Sequence, residues 1–553
     1  MSRWLVSLPL LGALLTSPLH AQTSLEQMNQ GQSRTHSDSP RVAIREALPQ
    51  AVRVAEPLRQ QPAPSVAEGK TLLINSIIIA GNNALPDTEF VDLIEEYTSR
   101  PLSRGDLTTL ATRVAVRAQS LGYVFATASV PSQDLDLGVL RVNLDEGAID
   151  EIRLEGAQDS AIARQLAPLK SGDPITKKEL ERRLLLADDI SGVRILDTRY
   201  EQEGDRGVLI VKTRRSKASA YVEARNNGSR QVGPVRARID VDFNGLISSA
   251  DEIDISVGTT PLQPSELQFA RGSYRIVVDA SGLELGAHVS YSSTEPGDFL
   301  SEREIEGQFF RAGVSAQYPV MRSRDLSVWV IGEFEVTDLR QDRQGLEARR
   351  DRVPALRAGI YSRGKLAGGR FRGRLTASHG LDILSATKPG DTLASRTDAS
   401  AQFTSVYGYF SWNRRLANSF SVALGARGQI AFDPVLVTED IGIGGTSFLR
   451  GYDFNERSGD SGIMGFGELR YNWRGKGFWL PRGQAYIFAD GGVVSNLEDG
   501  FGSGSLASAG GGMRLSLTRD TDLGVEVAVP LTGERLDSDS AAPLFNLRVG
   551  QAF

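Results

Sequence analysis

Two stretches of this chain could do chemistry together. Gly442-Ile443-Gly444-Gly445-Thr446-Ser447-Phe448-Leu449-Arg450-Gly451-Tyr452 sets a guanidinium among glycines, and Phe488-Ala489-Asp490-Gly491-Gly492 follows on a strand pattern. The chemistry on offer is recognition rather than bond making. Gly444, Gly445 and Gly451 let a backbone fold tightly, and Arg450 presents a planar fork suited to a carboxylate. The connection carrying them, 431–460, is long for a hairpin, and long connections in barrels are usually functional. Folded into a polar lumen, it brings Arg450 to Asp490 on the wall, where water and opposite charges make a charge tolerable. Phe488 and Gly492 flank that wall position, and Tyr452 follows the arginine.

Bond-making alternatives fail on inspection. Gly459-Asp460-Ser461-Gly462 spells a serine-hydrolase-like tetrapeptide, but a nucleophilic serine needs a placed base. The histidines are His20, His36, His288 and His379: one in a leader, one in a polar linker, two in strand patterns. The tetrapeptide therefore reads as a turn. Gly69-Lys70-Thr71 has Pro64 where a phosphate-cradling loop needs glycine, and Gly442-x-Gly444 follows no βαβ strand. With no cysteine in 553 residues there are no disulfides, thiolate metal sites or cysteine nucleophiles. A net charge of −6 with both signs mixed argues against nucleic acid. The chain reads as no enzyme, with no cofactor and no metal.

The positioning elements fall into segments. Residues 1–21 form an export signal: Arg3, an apolar run Trp4–Leu15, and Leu19-His20-Ala21 before a cut at Gln22. Residues 22–70 are polar and carry Pro49, Pro57, Pro62 and Pro64, too little apolar surface to offset ordering entropy. They read as a linker, with room for one short helix at 41–48. From residue 71 a repeat begins, Ile74–Gly81 and again Ile149–Gly156. Each copy continues as β-α-α-β-β, with helix starts capped at Ser103-x-x-Asp106 and Thr176-x-x-Glu179. The expected units are 71–147 and 148–214.

From 217 to 553 the period becomes two. Val235, Ala237, Ile239, Val241 and Phe243 alternate with Arg236, Arg238, Asp240, Asp242 and Asn244, a charged face that suits a water-filled barrel. Sixteen segments are expected, starting near 217, 234, 251, 267, 283, 305, 325, 353, 369, 402, 418, 461, 483, 506, 521 and 543. A mean hydropathy of −0.21 is what such a barrel gives, since every second residue faces the lumen. Trp329, Trp412, Trp473 and Trp479 are expected in interfacial girdles. The chain closes on Phe545–Phe553, an alternating strand with terminal Phe.

These motifs together resemble the two-partner secretion outer-membrane transporters, of haemolysin/haemagglutinin secretion-activation type, in the POTRA-plus-barrel superfamily. The Phe-Leu-Arg-Gly-Tyr loop and the Phe-x-Asp-x-Gly strand carry the barrel half. Gly122-Tyr123, Val130-Pro131-Ser132-Gln133-Asp134-Leu135, Gly138-Val139-Leu140-Arg141-Val142 and Glu146-Gly147-Ala148-Ile149 carry the POTRA half. The second copy adds Glu179–Leu184 and Asp189-Ile190-Ser191-Gly192-Val193, with Ser191 where the family often has Pro; Gln551 is a further departure. The resemblance implies two α+β POTRA domains in the periplasm before a 16-stranded outer-membrane barrel. It implies export of one large β-rich exoprotein, adhesin or haemolysin type, without nucleotide. Gln133, Asp134, Leu135 and Gly138 would be recognition positions, with cargo added along a strand edge. Outer-membrane lipid and, during biogenesis, the barrel assembly machinery are the other implied partners. In this family an N-terminal helix can lie in the barrel as a plug, the alternative to a plain linker for 22–70. The alternative function is an outer-membrane protein assembly factor of the same superfamily.

Overall fold

The computed structural model describes residues 53–54 and 71–553, apart from 134–137, 205, 476–481, 499, 501 and 537. The leader, nearly all of the linker, Asp134, Leu135 and Trp479 lie outside the described residues.

A two-residue strand β1 (Arg53–Val54) precedes the first folded unit in the chain. That unit runs β2 (Leu72–Leu73), β3 (Ser76–Ala80), α1 (Val91–Tyr97), β4 (Pro101–Leu102), α2 (Arg104–Ser120), β5 (Thr127–Ser129) and β6 (Val139–Asp145). Ser103 and Asp106 form a reciprocal capping box at the start of α2. From there Leu107, Leu110, Ala111, Val114 and Ala118 fall on one helical face and bury it against Ile77, Ile79, Leu140 and Val142. The second unit repeats the path with β7 (Glu151–Gly156), α3 (Ser160–Leu166), α4 (Lys177–Asp188), β8 (Val193–Glu203) and β9 (Arg206–Arg215). In both units the last strand sits between the other two, parallel to the first and antiparallel to the second. One pairing is new: β1 lies parallel to Arg199–Tyr200 on the free edge of β8.

The two units are stapled together. The Phe125 ring belongs to the core of the second unit and stacks on Tyr200, with centroids 4.0 Å apart. The Gly122 and Gly147 carbonyls accept from Lys177 and Ile175 at 2.8 and 3.0 Å. Gly147 has φ +81° and a Cβ there would lie 2.5 Å from Phe125 Cβ, so only glycine fits. Glu146 is buried because its carboxylate accepts from the Ala84 and Leu85 N–H groups, the nearer at 2.8 Å.

A closed, all-antiparallel barrel of sixteen strands follows. Its first half is β10 (Ala218–Arg225), β11 (Arg236–Asn244), β12 (Asp251–Thr259), β13 (Gln268–Val277), β14 (Glu284–Thr294), β15 (Ile305–Arg322), β16 (Leu326–Arg343) and β17 (Leu346–Leu366). Next come β18 (Gly369–Gly380), β19 (Thr404–Arg415) and β20 (Phe420–Ala431). A small hairpin, β21 (Ile441–Ile443) with β22 (Arg457–Gly459), interrupts the wall inside the long connection. The wall resumes with β23 (Ser461–Trp473), β24 (Arg482–Ser495), β25 (Gly504–Ser516), β26 (Thr521–Pro530) and β27 (Leu544–Ala552), which closes on β10. The expected sixteen segments match these strands in number and place except that β17 begins at Leu346 rather than near 353, because its opening Leu346–Arg352 is a charged run without apolar alternation. Outward side chains such as Ile239, Val314, Leu375 and Ile487 are exposed to the surroundings, while Asp242, Glu335, Glu468 and Asp490 turn inward and are buried.

Trp412 and Trp473 hold outward girdle positions, Trp412 donating to the Leu366 carbonyl at 2.9 Å and Trp473 lying beside the Tyr471 ring. Trp329 differs from the expectation. It turns into the inner rim and is 7 % exposed, with the Arg322 and Arg363 guanidiniums 5.4 and 5.1 Å from its ring. Cation–π contact at the rim outweighs a lipid-facing seat.

The second unit is bolted to that inner rim. Arg322 is 7 % exposed and makes a two-point contact with Asp189 at 2.6 and 2.7 Å. Arg164, Arg182 and Arg183 donate to the carbonyls of Val277, Pro319 and Ala280. Removing one partner of such a pair strands the other, at a cost of about 2–4 kcal/mol. Arg322→Ala should therefore loosen this unit from an intact barrel. Limited proteolysis between β9 and β10 should speed up roughly tenfold or more while the heat-induced gel shift of the barrel is kept. Unchanged cleavage would contradict the bolted rim.

Candidate functional site

The connection 432–460 leaves the far end of β20 and dips back into the lumen. Gly444, at φ +118°, permits the turn, since a Cβ there would fall 2.1 Å from the Asp453 carbonyl oxygen. Leu449 sits at φ +59°, a strained conformation for a leucine that costs on the order of 1–3 kcal/mol. Packing holds it there: Ile443, Phe448, Leu449 and Tyr452 are buried together against Met464, Val494 and Leu506 of the wall. Gly451 runs so close to the wall that a Cβ would meet Val529 C and Pro530 N at 2.7 Å. Gly492 leaves the space that Leu449 fills, since its Cβ would lie 3.0 Å from Leu449 Cδ1.

At the apex Arg450 is 4 % exposed and meets three carboxylates. Its Nε donates to Asp490 at 2.9 Å, and its Nη1 donates to Glu468 at 2.6 Å and to Glu526 at 3.3 Å. The backbone N–H of Arg450 also reaches Asp490, and the Ser508 hydroxyl donates to the other oxygen of that carboxylate. Beneath the guanidinium lies the Phe488 ring, 3.3 Å from centroid to Cζ. Arg470 and Arg514 lie on the far side of Glu468, at 2.5 and 3.2 Å. Three guanidiniums therefore balance three carboxylates, and the buried cluster is near neutral. Tyr452 pins the next residue, donating to the Thr532 carbonyl at 2.7 Å and accepting from the Thr532 N–H at 2.9 Å.

Arg450, Asp490, Phe488, Gly451, Gly492 and Tyr452 are thus brought together. The expected two-point fork onto Asp490 is replaced by one contact to each of several carboxylates, because the fork is aimed at the space between β23, β24 and β26. Glu468 and Glu526 escaped the sequence reading. Their inward phase is legible, but which inward acids lie below the loop depends on where its apex lands. A second contact with the wall also emerged: Arg357 of β17 donates to Glu439 at 2.7 Å. Close by, His288, Glu333 and Glu335 gather ligand atoms within 4.8 Å, the geometry of a cation site. Arg311 and Arg357 each stand 3.5 Å from Glu335, so guanidiniums already supply the positive charge there.

The POTRA-side positions separate. The Gln133 amide is engaged with the backbone of Arg141, donating to its carbonyl and accepting from its N–H, each at 2.8 Å. Gly138, at φ +66°, turns the chain into β6, and its carbonyl accepts from Asn75 at 2.8 Å. Gln133 and Gly138 therefore both engage backbone beside the start of β6.

Removing the arginine should unbalance this cluster. Arg450→Ala should destabilise the barrel by about 3 kcal/mol, read as a lower temperature for the heat-induced gel shift. Arg450→Lys should recover little, because one ammonium cannot serve carboxylates on three strands. The exchange Arg450→Asp with Asp490→Arg should recover part. If Arg450→Lys behaves as wild type, the planar fork is not what holds the loop.

Comparison with known proteins agrees with this architecture. The family model for haemolysin secretion/activation proteins ShlB/FhaC/HecB matches residues 204–515, and a ShlB-type POTRA model matches residues 72–147. The heme/hemopexin transporter protein HuxB of Haemophilus influenzae is 23 % identical over 500 residues, covering 84 % of each chain. The outer membrane transporter CdiB of Escherichia coli is 22 % identical over 497 residues, 84 % of this chain and 80 % of CdiB. The solved structure of CdiB from Escherichia coli superposes with a TM-score of 0.73 at 19 % identity, covering 96 % of this chain and 98 % of that one. The chain therefore belongs to the ShlB/FhaC/HecB haemolysin secretion/activation family of two-partner secretion transporters, an outer-membrane barrel with its POTRA domain in the periplasm.

Proposed function

We propose that this transporter takes one large β-rich exoprotein from the periplasm in an unfolded state and exports it through the barrel without nucleotide hydrolysis and without any bond-making step of its own. Capture of the partner and its folding outside supply the direction. The observation that carries the reading is the continuous, stapled path from the first α+β unit, across the second, to a lumen in which a loop is held by charge. A path of fixed geometry can hand a chain from capture edge to pore.

We read residues 148–214 as a second POTRA domain, since its strand order repeats that of the first. The capture edge is β8. It spans Val193–Glu203, and among the described residues β1 covers this edge at Arg199 and Tyr200 alone, in parallel pairing. An edge that accepts two residues of the chain's own linker has unpaired main-chain groups to offer a longer extended segment. Side chains around the Phe125–Tyr200 stack would then select the partner. Membership of the ShlB/FhaC/HecB family favours export over the assembly-factor reading. The plug assigned to residues 22–40 lies outside the described residues.

Deleting residues 71–147 should reduce release of the coexpressed partner protein to background while the barrel stays inserted and heat-modifiable. Release at the wild-type level would remove capture from the account. Arg450→Ala should nearly stop release in barrels that still reach the outer membrane, measured by immunoblot of medium against membrane fraction. If Asp490→Ala exports normally while Arg450→Ala does not, Arg450 acts through Glu468 and Glu526 instead.

A further inference from the structure

Asp460, which belongs to the hydrolase-like tetrapeptide, is fully buried at the start of β23. One of its oxygens accepts from Arg396 Nη1 at 2.7 Å and from the Val435 N–H at 2.8 Å, and the other accepts from the Leu497 N–H at 2.7 Å. Arg396 also donates to the Leu497 carbonyl at 3.1 Å and forks onto Asp398 at 3.1 and 2.6 Å. A single ion pair thereby joins three connections at the outer mouth, 381–403, 432–460 and 496–503. Ser395 adds a contact of its own, accepting from the Val437 N–H at 3.1 Å.

The long connection is packed on two sides, and the two sides differ in kind. Around Arg450 the cluster holds large side chains, among them Ile443, Phe448, Leu449 and Tyr452. Beneath 381–403 alanines predominate, Ala355, Ala386, Ala394, Ala399, Ala401 and Ala431, together with Val353, Phe403, Val435 and Leu436. Hydrophobic stabilisation scales with apolar area, so parting the alanines of 381–403 from this cluster costs less than lifting Phe448 and Tyr452 from the wall. Thr387, Leu393 and Ser395 tie 381–403 to β17, and the Arg396–Asp460 pair is the charged link that ties it to the two neighbouring connections. Once parted at the mouth, both charges meet water and are rehydrated, which keeps the open and closed states close in free energy. The Arg450 cluster has no such outlet, because its carboxylates lie on the wall deep in the lumen.

We propose that Arg396 and Asp460 are positioning residues that latch the connection 381–403 over the outer mouth, and that exported polypeptide leaves when this latch parts while the Arg450 centre stays in place. The inference rests on the export reading above.

Single-channel recording of the full chain in planar bilayers, with potassium chloride as the only permeant, tests the latch without any partner protein. Arg396→Gln and Asp460→Asn should raise the open probability about fivefold or more, and Arg396→Lys should return most of it. The chain has no native cysteine, so Ser395→Cys with Val437→Cys offers a clean cross-link. Its oxidation should hold the channel closed, and a reductant should restore opening. Unchanged open probability in heat-modifiable Arg396→Gln and Asp460→Asn overturns the proposal, as does a lowered gel-shift temperature with unaltered gating. If the neutral variants fail to insert, free opening of the oxidised double-cysteine chain overturns it alone. A latch that gates normally in a chain that exports nothing would count against the export reading only.

Discussion

The structure turns on a buried guanidinium that must be met by carboxylates wherever the loop comes to rest. Arg450 satisfies that constraint only where Asp490, Glu468 and Glu526 converge, so the charge acts as a locating pin for the whole connection. Packing alone would tolerate a sliding loop, because apolar contact is not directional. A misplaced charge in the lumen is far less forgiving, since each unpaired member costs several kcal/mol. The strain at Leu449 and the glycines at 444, 451 and 492 serve this placement, giving the backbone the path that brings the fork to its acids.

The same logic governs the inner rim. Arg322 on Asp189, with further arginines donating to rim carbonyls, fixes the second α+β unit to the barrel. The Phe125–Tyr200 stack then fixes the first unit to the second. The two α+β units and the rim are thus joined by packed and hydrogen-bonded contacts, with only a short link between β9 and β10. The outer mouth is built differently. There the closing connection is held by an alanine-rich cluster, by backbone ties to β17 and by the Arg396–Asp460 pair, which joins it to its neighbours.

Much of this was legible in the sequence because two periods are simple. Alternation at period two marked the strands apart from the charged opening of β17 at Leu346–Arg352, and cap signatures at Ser103 and Thr176 marked the helix starts. The pairing of Arg450 with Asp490 followed from a charge on a long loop and a charge on a lumen face. What stayed hidden depends on register across distant elements. Glu468 and Glu526 are inward acids like many others until the apex is placed above them. Asp460 read as part of a turn, and its role as a hub needs Arg396 from a connection more than fifty residues earlier. Trp329 has the composition of a girdle residue, and only the rim arginines explain its inward turn. The pairing of Arg53 and Val54 with β8 left no pattern in two residues.

The claim that Arg450 locates the loop can be measured as a distance. Spin labels on Thr446→Cys, at the loop tip, and Ser273→Cys, on the lumen face of β13, can be read by pulsed electron resonance in the otherwise cysteine-free chain. The account predicts one narrow distance distribution in the parent chain and a broad or shifted one when Arg450→Ala is added. A distribution that stays equally narrow and centred without the guanidinium would contradict it, and would assign the placement of the loop to packing alone.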